Sequence, residues 1–254
     1  MLKLFRSRRK ERAPFAGPKG SRAYAVGDIH GRLDLLLQLL ERIERDDAAR
    51  APARTYLVFL GDFVDRGPDS KGVIELLAAR PPAFATPVFL GGNHEEAFLR
   101  VIEGETSVVP GWLMYGGKEC AQSYGISPGW LLGAAPEAIV ADVRRHVPRH
   151  HVDFLKSLHD TFRFGDYLFV HAGIRPGLAI EAQTPKDLRW IREGFLEDST
   201  DHGLMVVHGH TISEAVDERT NRIGIDTGAY RTGLLTAIGI EGTERWYVEA
   251  RAPD

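Results

Sequence analysis

A single cysteine, Cys120, stands in 254 residues. No intrachain disulfide can form, and a chain that does without one fits a reducing, cytoplasmic setting. Long apolar runs are missing too: none approaches the ~20 residues that a membrane-spanning helix requires, so no transmembrane segment is predicted. Nor does the chain carry an overall positive charge. Its net charge of −3 is unevenly divided: the first 22 residues hold eight basic side chains and one acid, the remainder 24 basic and 34 acidic ones. An acidic body argues against non-specific nucleic-acid binding. The basic head lacks both an apolar stretch and a small-residue cleavage pattern, so it does not read as a secretory signal. Residues 1–22 are expected to be a mobile, solvated arm, with weak docking to an anionic surface as the other reading.

What is present is an ordinary globular composition, 43% hydrophobic and 26% charged, with enough apolar mass for a core. Continuous apolar runs at 23–26, 55–60, 87–90, 167–170, 204–207, 222–225, 234–240 and 245–250 predict strands buried on both faces. Between the first three lie helical patterns, one from Leu33 through Ile43 to about Arg45 and one over 71–80. Pro81-Pro82 ends the second, because proline lacks the amide donor and its predecessor avoids helical geometry. A third helix is expected from Glu95. This alternation predicts an α/β fold, a central mixed, sandwich-like β-sheet flanked by helices, with the last three strands adding antiparallel pairing. Residues 23–254 read as one domain. Within it, 103–160 show helical patches near 134–147 and 150–159 and no strand, which predicts a helical insertion beside the active face.

Potential metal ligands follow the strong apolar runs. Gly27-Asp28-Ile29-His30-Gly31 comes after the first, Gly61-Asp62-Phe63-Val64-Asp65-Arg66-Gly67 after the second, and Gly91-Gly92-Asn93-His94-Glu95 after the third. His171-Ala172-Gly173 and His208-Gly209-His210 follow two later runs. Open α/β sheets bind ligands at the carboxyl ends of their strands, so these five segments would meet in one crevice. Glycine lets the chain turn off a strand and approach an ion closely. Carboxylate, imidazole and amide oxygen together suit Mn2+, Fe or Zn2+. Each segment alone is weak, since a strand-end histidine or an Asn-His pair also occurs as plain turn chemistry. Five in order are not explained that way.

These motifs resemble those of the phosphoprotein phosphatase family of calcineurin-like metallophosphoesterases. Asp28-Ile29-His30-Gly31, the long Asp62 motif and Gly92-Asn93-His94-Glu95 match its three signatures, and His171-Ala172-Gly173 and Gly209-His210 its last ligand segments. The similarity runs from about Ala23 to the C-terminus. It is strongest to compact bacterial and phage members, including Trp190-Ile191-Arg192 and Ile225-Asp226-Thr227-Gly228. The resemblance implies two divalent ions, Mn2+ before Fe or Zn2+. Asp28, His30 and Asp62 would hold one, and Asp62, Asn93, His171 and His210 the other, with a bridging hydroxide attacking the phosphate directly. Arg66 and Arg192, with Asn93, would grip the phosphate. His94 would protonate the leaving oxygen, oriented by Asp65. Asp226 is placed to hydrogen-bond a ligand histidine, and His208 to stand behind the ligands.

His146, His150, His151, His159 and His202 are read as surface residues, and Trp112 and Tyr115 as core, with the lining of a substrate groove as the other reading of the two. Cys120 lacks the setting of a phosphatase nucleophile. The implied substrate is phosphoserine or phosphothreonine in a protein, or a phosphorylated small molecule. The alternatives are a dinucleoside tetraphosphatase, decided by how 103–160 wall the crevice, and a metal-holding regulator without turnover. The toxin-sensitive loop of eukaryotic members has no counterpart near Asp226-Thr227-Gly228-Ala229, so their inhibitors and regulatory subunits are not carried over.

Overall fold

The computed structural model describes residues 14–253. The first half alternates as predicted: β1 (Ser21–Val26), α1 (Leu33–Ala48), β2 (Arg54–Phe59), α2 (Ser70–Ala79), β3 (Thr86–Phe89) and α3 (Asn93–Glu103). A helical stretch follows, with α4 (Val109–Trp112), α5 (Lys118–Ser123), α6 (Pro128–Leu131), α7 (Pro136–His146) and α8 (Arg149–Lys156). The second half holds β4 (Thr161–Phe164), β5 (Tyr167–Val170), α9 (Pro185–Trp190), β6 (Met205–His208), β7 (Asp217–Glu218), β8 (Arg222–Gly224), α10 (Ala229–Thr232), β9 (Leu234–Glu241) and β10 (Glu244–Arg251). No helix among the described residues is long and apolar enough to cross a membrane.

The sandwich-like mixed β layer is made of two mixed sheets of five strands, ordered β10-β9-β1-β2-β3 and β4-β5-β6-β8-β7. β1, β2 and β3 run parallel, as do β5, β6 and β8. β9 and β10 add the expected antiparallel pairing. β8 pairs antiparallel only with the two-residue β7 and lies parallel to β6, in the other sheet, since an apolar run buried on both faces says nothing about its partner's direction. The short β4 and β7 were not anticipated.

The continuous apolar character follows from the layering. Tyr24, Val26, Leu57 and Phe59 face the helices. Their neighbours Ala23, Ala25, Val58 and Leu60 face Tyr167, Phe169, Val207 and Ile223 of the second sheet. The outer side of that sheet, through Leu168, Val170 and Val206, is covered by Ile174, Leu188 and Phe195. Both faces of the central strands are therefore dry. α1 buries Leu35, Leu36, Leu39, Leu40 and Ile43. It runs past Arg45 to Ala48 because Asp46 and Asp47 in its last turn receive Tyr24 and Arg22. α2 begins at an Asp69 cap that accepts from the Gly72 N–H at 2.7 Å and ends before Pro81-Pro82.

Three expectations need correction. Residues 14–22 belong to the body: the Ala16 N–H donates to Asp166 Oδ2 at 3.0 Å and the Gly17 N–H to Gly242 O at 2.8 Å. Arg22, counted by charge with the arm, is buried in β1, donating to Asp47 Oδ1 at 2.6 Å, Ala51 O at 2.7 Å and Glu241 Oε2 at 2.8 Å. The arm as far as residue 13 lies outside the described residues. His151 and His202 are not on the surface: His151 is wholly buried against Tyr124, and His202 packs on Phe195 beside Asp198. Trp112 is core, but Tyr115 is 65% exposed, because Leu113–Gly117 is a distorted turn with Tyr115 and Gly116 out of helical geometry.

Arg22→Ala strips Asp47 and Glu241 of their shared partner. The cost in urea unfolding should be about 2–4 kcal/mol, below that of a fully enclosed pair because both acids keep some solvent. Arg22→Lys should recover only part of it, since an ammonium cannot span all these acceptors.

Candidate active site

The carboxyl ends of β1, β2 and β3 meet those of β5, β6 and β8 in one crevice. Asp28 and His30 arrive from β1, Asp62, Asp65 and Arg66 from β2, and Asn93 and His94 from the first turn of α3. His171 leaves β5, His210 follows β6 and Asp226 follows β8. Asp62 lies at the centre. Its Oδ2 is 3.4 Å from His30 Nε2 and 3.9 Å from His94 Nε2, and its Oδ1 is 3.4 Å from His171 Nε2. The Asp28 carboxylate accepts the His210 N–H through both oxygens, at 3.1 and 3.0 Å, and so ties the two sheets together.

This convergence is held in unusual backbone. His30, Asp62, Asp65, Arg66 and His210 have φ of 45°, 50°, 72°, 68° and 64°, the left-handed region that costs a side-chain-bearing residue about 1–2 kcal/mol. His30 thus reaches the centre from a tight left-handed turn. Glu95 holds the turns. Its buried carboxylate accepts N–H groups from Asp62 (2.8 Å), Phe63 (2.7 Å), Val64 (3.2 Å) and Gly92 (2.9 Å). Burial and the Asp62 charge push this acid up to about 7, against the four donors that favour its charged form. The Asp62 carbonyl in turn accepts from Ile29 and His30 at 3.1 and 2.8 Å. Glycine is demanded where chains come closest: a Cβ on Gly92 would stand 2.1 Å from Asp62 Oδ1, and one on Gly209 2.0 Å from Asp28 Oδ1.

The histidines are set to receive a cation. His30 Nδ1 faces Val64 O at 2.8 Å and His171 Nδ1 faces Leu60 O at 2.9 Å. A carbonyl only accepts, so Nδ1 carries the proton and the Nε2 lone pair turns to Asp62. His171 Nε2 also meets Asn93 Oδ1 at 3.0 Å, which crowds acceptors together. His210 Nε2 is buried with no hydrogen-bond partner. Burial lowers all three rings, His210 to about 2, and so keeps them neutral. Burial pushes Asp62 up, and positive charge on the rings around it draws it well below the carboxylate range; with His30, His171 and His210 neutral, His94 is the ring that carries that charge. Neutral imidazoles and oxygens turned on one another in a buried space fit divalent ions. Two sets, His30–Asp62–His94 and Asp62–His171–His210, have ligand atoms within 4.8 Å of one another and share Asp62.

His94 differs from the other histidines. Its Nδ1 is 2.7 Å from Asp65 Oδ2, whose Oδ1 accepts the Trp112 indole N–H at 3.0 Å. Burial lowers this ring, but Asp62 and Asp65 outweigh it and raise it above the ordinary histidine range. Arg66 Nη1 is 3.1 Å from His30 Nε2 and its guanidinium lies 4.9 Å over Tyr230. Arg192 donates to the His210 carbonyl at 3.4 Å. Between the arginines opens a cleft of about 390 Å3, lined also by Asn93, His94, Tyr115 and Trp190.

Two expected supports stand elsewhere. His208 turns its ring edge-on to Phe195, on the outer side of the sheet, with Nδ1 on the Gly209 carbonyl and Nε2 unpartnered. Its neighbour once removed, His210, escapes to the other face because β6 ends at His208. Asp226 meets no ligand histidine. It accepts from the Gly228 N–H at 2.9 Å and lies against Asp28. Burial, then Asp62, raises Asp226 to about 6, and burial, then Asp226, raises Asp28 well above its usual range. Glu95 and Trp112 carry more of the geometry than expected. Glu95 sits three residues after the Gly92 cap, the spacing of a capping acid, and that was its signal.

The profile of the calcineurin-like phosphoesterase family matches residues 21–232. Serine/threonine-protein phosphatase 1 of Salmonella typhimurium is 38% identical over 226 residues, covering 86% of this chain and 91% of that protein. A symmetrical bis(5'-nucleosyl)-tetraphosphatase of Dechloromonas aromatica is 34% identical over 153 residues, 60% of this chain but only 44% of its own length. Among solved structures, a protein proposed to be a diadenosine tetraphosphatase superposes with a TM-score of 0.63 at 22% identity, over 94% of this chain and 100% of that one, a likeness of fold.

Glu95→Gln would turn an amide NH2 toward backbone N–H donors. It should lower stability by about 3 kcal/mol in chelator, read by urea unfolding, because a charged acceptor of several bonds is lost. It should also weaken divalent-ion binding although Glu95 is not among the ligand-type groups around Asp62, read by titration calorimetry.

Proposed function

The chain belongs to the calcineurin-like phosphoesterase family, and within it we propose a phosphomonoesterase acting on phosphoserine and phosphothreonine in proteins, with Mn2+ as the working ion. The observation that carries this is Asp62 between two histidine sets, with the His94–Asp65 pair at its edge and an open cleft above. Asp28, His30 and Asp62 would hold one ion, and Asp62, Asn93, His171 and His210 the other. Ions bound there supply Lewis acidity, acidifying a water and neutralising phosphate charge.

The remaining work falls to the chain's own side chains. Arg66 and, on the opposite wall, Arg192 would bind the phosphoryl oxygens and orient the ester. His94 Nε2 gives its proton to the departing serine or threonine oxygen. Asp65 keeps the imidazole turned and charged until then, and Trp112 keeps Asp65 in place. The raised proton affinity of His94 fits an acid better than a ligand, which must be neutral to coordinate.

An open cleft suits a phosphorylated segment of protein, and the nearly full-length similarity to the Salmonella phosphatase supports that choice. The second reading, a dinucleoside tetraphosphatase, is favoured by Tyr115 and Trp190, whose exposed rings beside the cleft offer stacking surfaces for bases.

Turnover of a phosphoserine peptide, p-nitrophenyl phosphate and diadenosine tetraphosphate, compared by kcat/KM, decides between these substrates. A preference for the dinucleotide would displace the leading one. Elemental analysis should find two ions in the Asp62 centre, with Asp62→Asn weakening both, whereas one ion in a fully active preparation would end the two-ion reading.

His94→Asn should lower kcat on the phosphoserine peptide by roughly 10²–10⁴-fold while both ions stay bound. The loss should shrink on p-nitrophenyl phosphate, whose leaving group needs little protonation. Equal losses on both substrates, or loss of an ion, would remove His94 from the acid role.

A further inference from the structure

Outside the catalytic cleft, one more set of side chains turns its ligand atoms inward. Glu75 on α2 faces His150 and His151 on α8. His150 Nε2 lies 2.9 Å and His151 Nε2 2.8 Å from the same atom, Glu75 Oε2, and one donor atom from each of the three residues lies within 4.8 Å of the others. We propose that these three residues form a separate binding site for a zinc-class divalent ion, clamping α2 to α8.

The argument rests on how the cluster is built. His151 is completely buried, while His150 and Glu75 are about half exposed at 54% and 40%, so the site has one fixed ligand and an open side. The His151 ring is fixed from behind by the Tyr124 hydroxyl, 2.8 Å from Nδ1. A metal-binding histidine is commonly held in this way, with its far nitrogen hydrogen-bonded so that Nε2 is aimed. The two imidazoles stand edge to face, with centroids 4.4 Å apart at 79°, which brings adjacent residues of one helix onto a single point. Two neutral imidazoles and a carboxylate form a His2Glu set with a fourth position for water, a common zinc pattern. Tetrahedral ligands at ~2.0–2.1 Å from zinc stand ~3.3 Å apart, so the observed contacts need to open by only about 0.5 Å. Hydrogen bonds from His151 and His150 hold Glu75 down to about 2, which keeps it anionic. Lys71 is the one cation acting on His151 from α2.

Binding would require a tautomer change: each ring gives up the Nε2 proton it donates to Glu75 and takes one at Nδ1, exchanged through solvent, and the Tyr124 hydroxyl turns from donor to acceptor. Each ring would present the Nε2 lone pair to the ion with its proton on Nδ1, and the His151 Nδ1–H would donate to the Tyr124 oxygen. The clamp joins α2, which supports Asp65 directly, to α8, which does not touch it. α2 opens at Ser70, whose Oγ accepts the Asp65 N–H at 2.9 Å, and α8 closes the helical stretch that contributes Trp112.

Zinc bound per chain after gel filtration, compared between the full-length protein and His150→Ala, tests the site. The difference between the two counts does not depend on how many ions the Asp62 centre takes. The wild type should hold one more zinc ion than His150→Ala, and zinc should raise its Tm by more. Tyr124→Phe should keep the site with about tenfold weaker affinity, the effect of losing a support behind a ligand histidine. Should His150→Ala fold poorly in chelator, Glu75→Gln serves in its place. Equal zinc counts in folded wild type and variant would overturn the proposal and leave the cluster a hydrogen-bonded bridge between helices.

Discussion

A buried carboxylate that accepts four backbone N–H groups is the constraint on which the rest of this site depends. Glu95 reaches from the first turn of α3 across to the loop after β2 and takes hold of Asp62, Phe63, Val64 and Gly92. The loop it holds is one no chain adopts freely, since Asp62, Asp65 and Arg66 are left-handed there. Each such residue costs about 1–2 kcal/mol, and a hydrogen bond to a charged group returns about 1.5–3 kcal/mol. Backbone strain and acceptor charge thus balance within the same few residues. The loop then presents the Asp62 carbonyl to Ile29 and His30, so the order imposed by Glu95 passes on to β1.

The two-sheet architecture explains why so many polar groups can share so little space. Parallel strands from both sheets end at the same level, and the chain between them is free to be irregular because the central strands are anchored on two dry faces. Burial alone would make the centre hostile to charge. It lowers the histidines and raises Asp28 and Glu95, and it works against an ionised Asp62 that the charged His94 ring favours. Acceptors outnumber donors there, an imbalance that bound cations correct.

Much of this was legible in the residues. β1, β2, β3 and the helices between them announce themselves through runs and periodicity, and the ligand-type residues stand where those runs stop. Less legible was whatever depends on a partner distant in the chain. β8 is as apolar as β9, but one joins β6 and the other joins β1. Arg22 is a basic residue in a basic segment until Asp47 and Glu241 are brought to it. His151 reads as a helix-surface histidine because Tyr124, which buries it, is 27 residues away. His208 and His210 are two apart and face opposite ways only because the strand ends between them. Asp226, read as a histidine's partner, meets Asp28 instead, and no spacing rule connects those positions.

Trp112 connects the helical stretch to the chemistry. Its indole stacks on Phe98 at 5.6 Å between centroids while its N–H holds the carboxylate that aims His94. Three residues later the same turn offers Tyr115 to the cleft. With His94 as the proposed acid, the segment that lines the cleft is also the one that supports the proton donor, so selectivity and acid strength would form a single inherited unit. A homologue that exchanged this stretch for another would have to rebuild its proton donor's support at the same time, which ties divergence in substrate choice to the helices and leaves the ion-binding strand ends free to stay as they are.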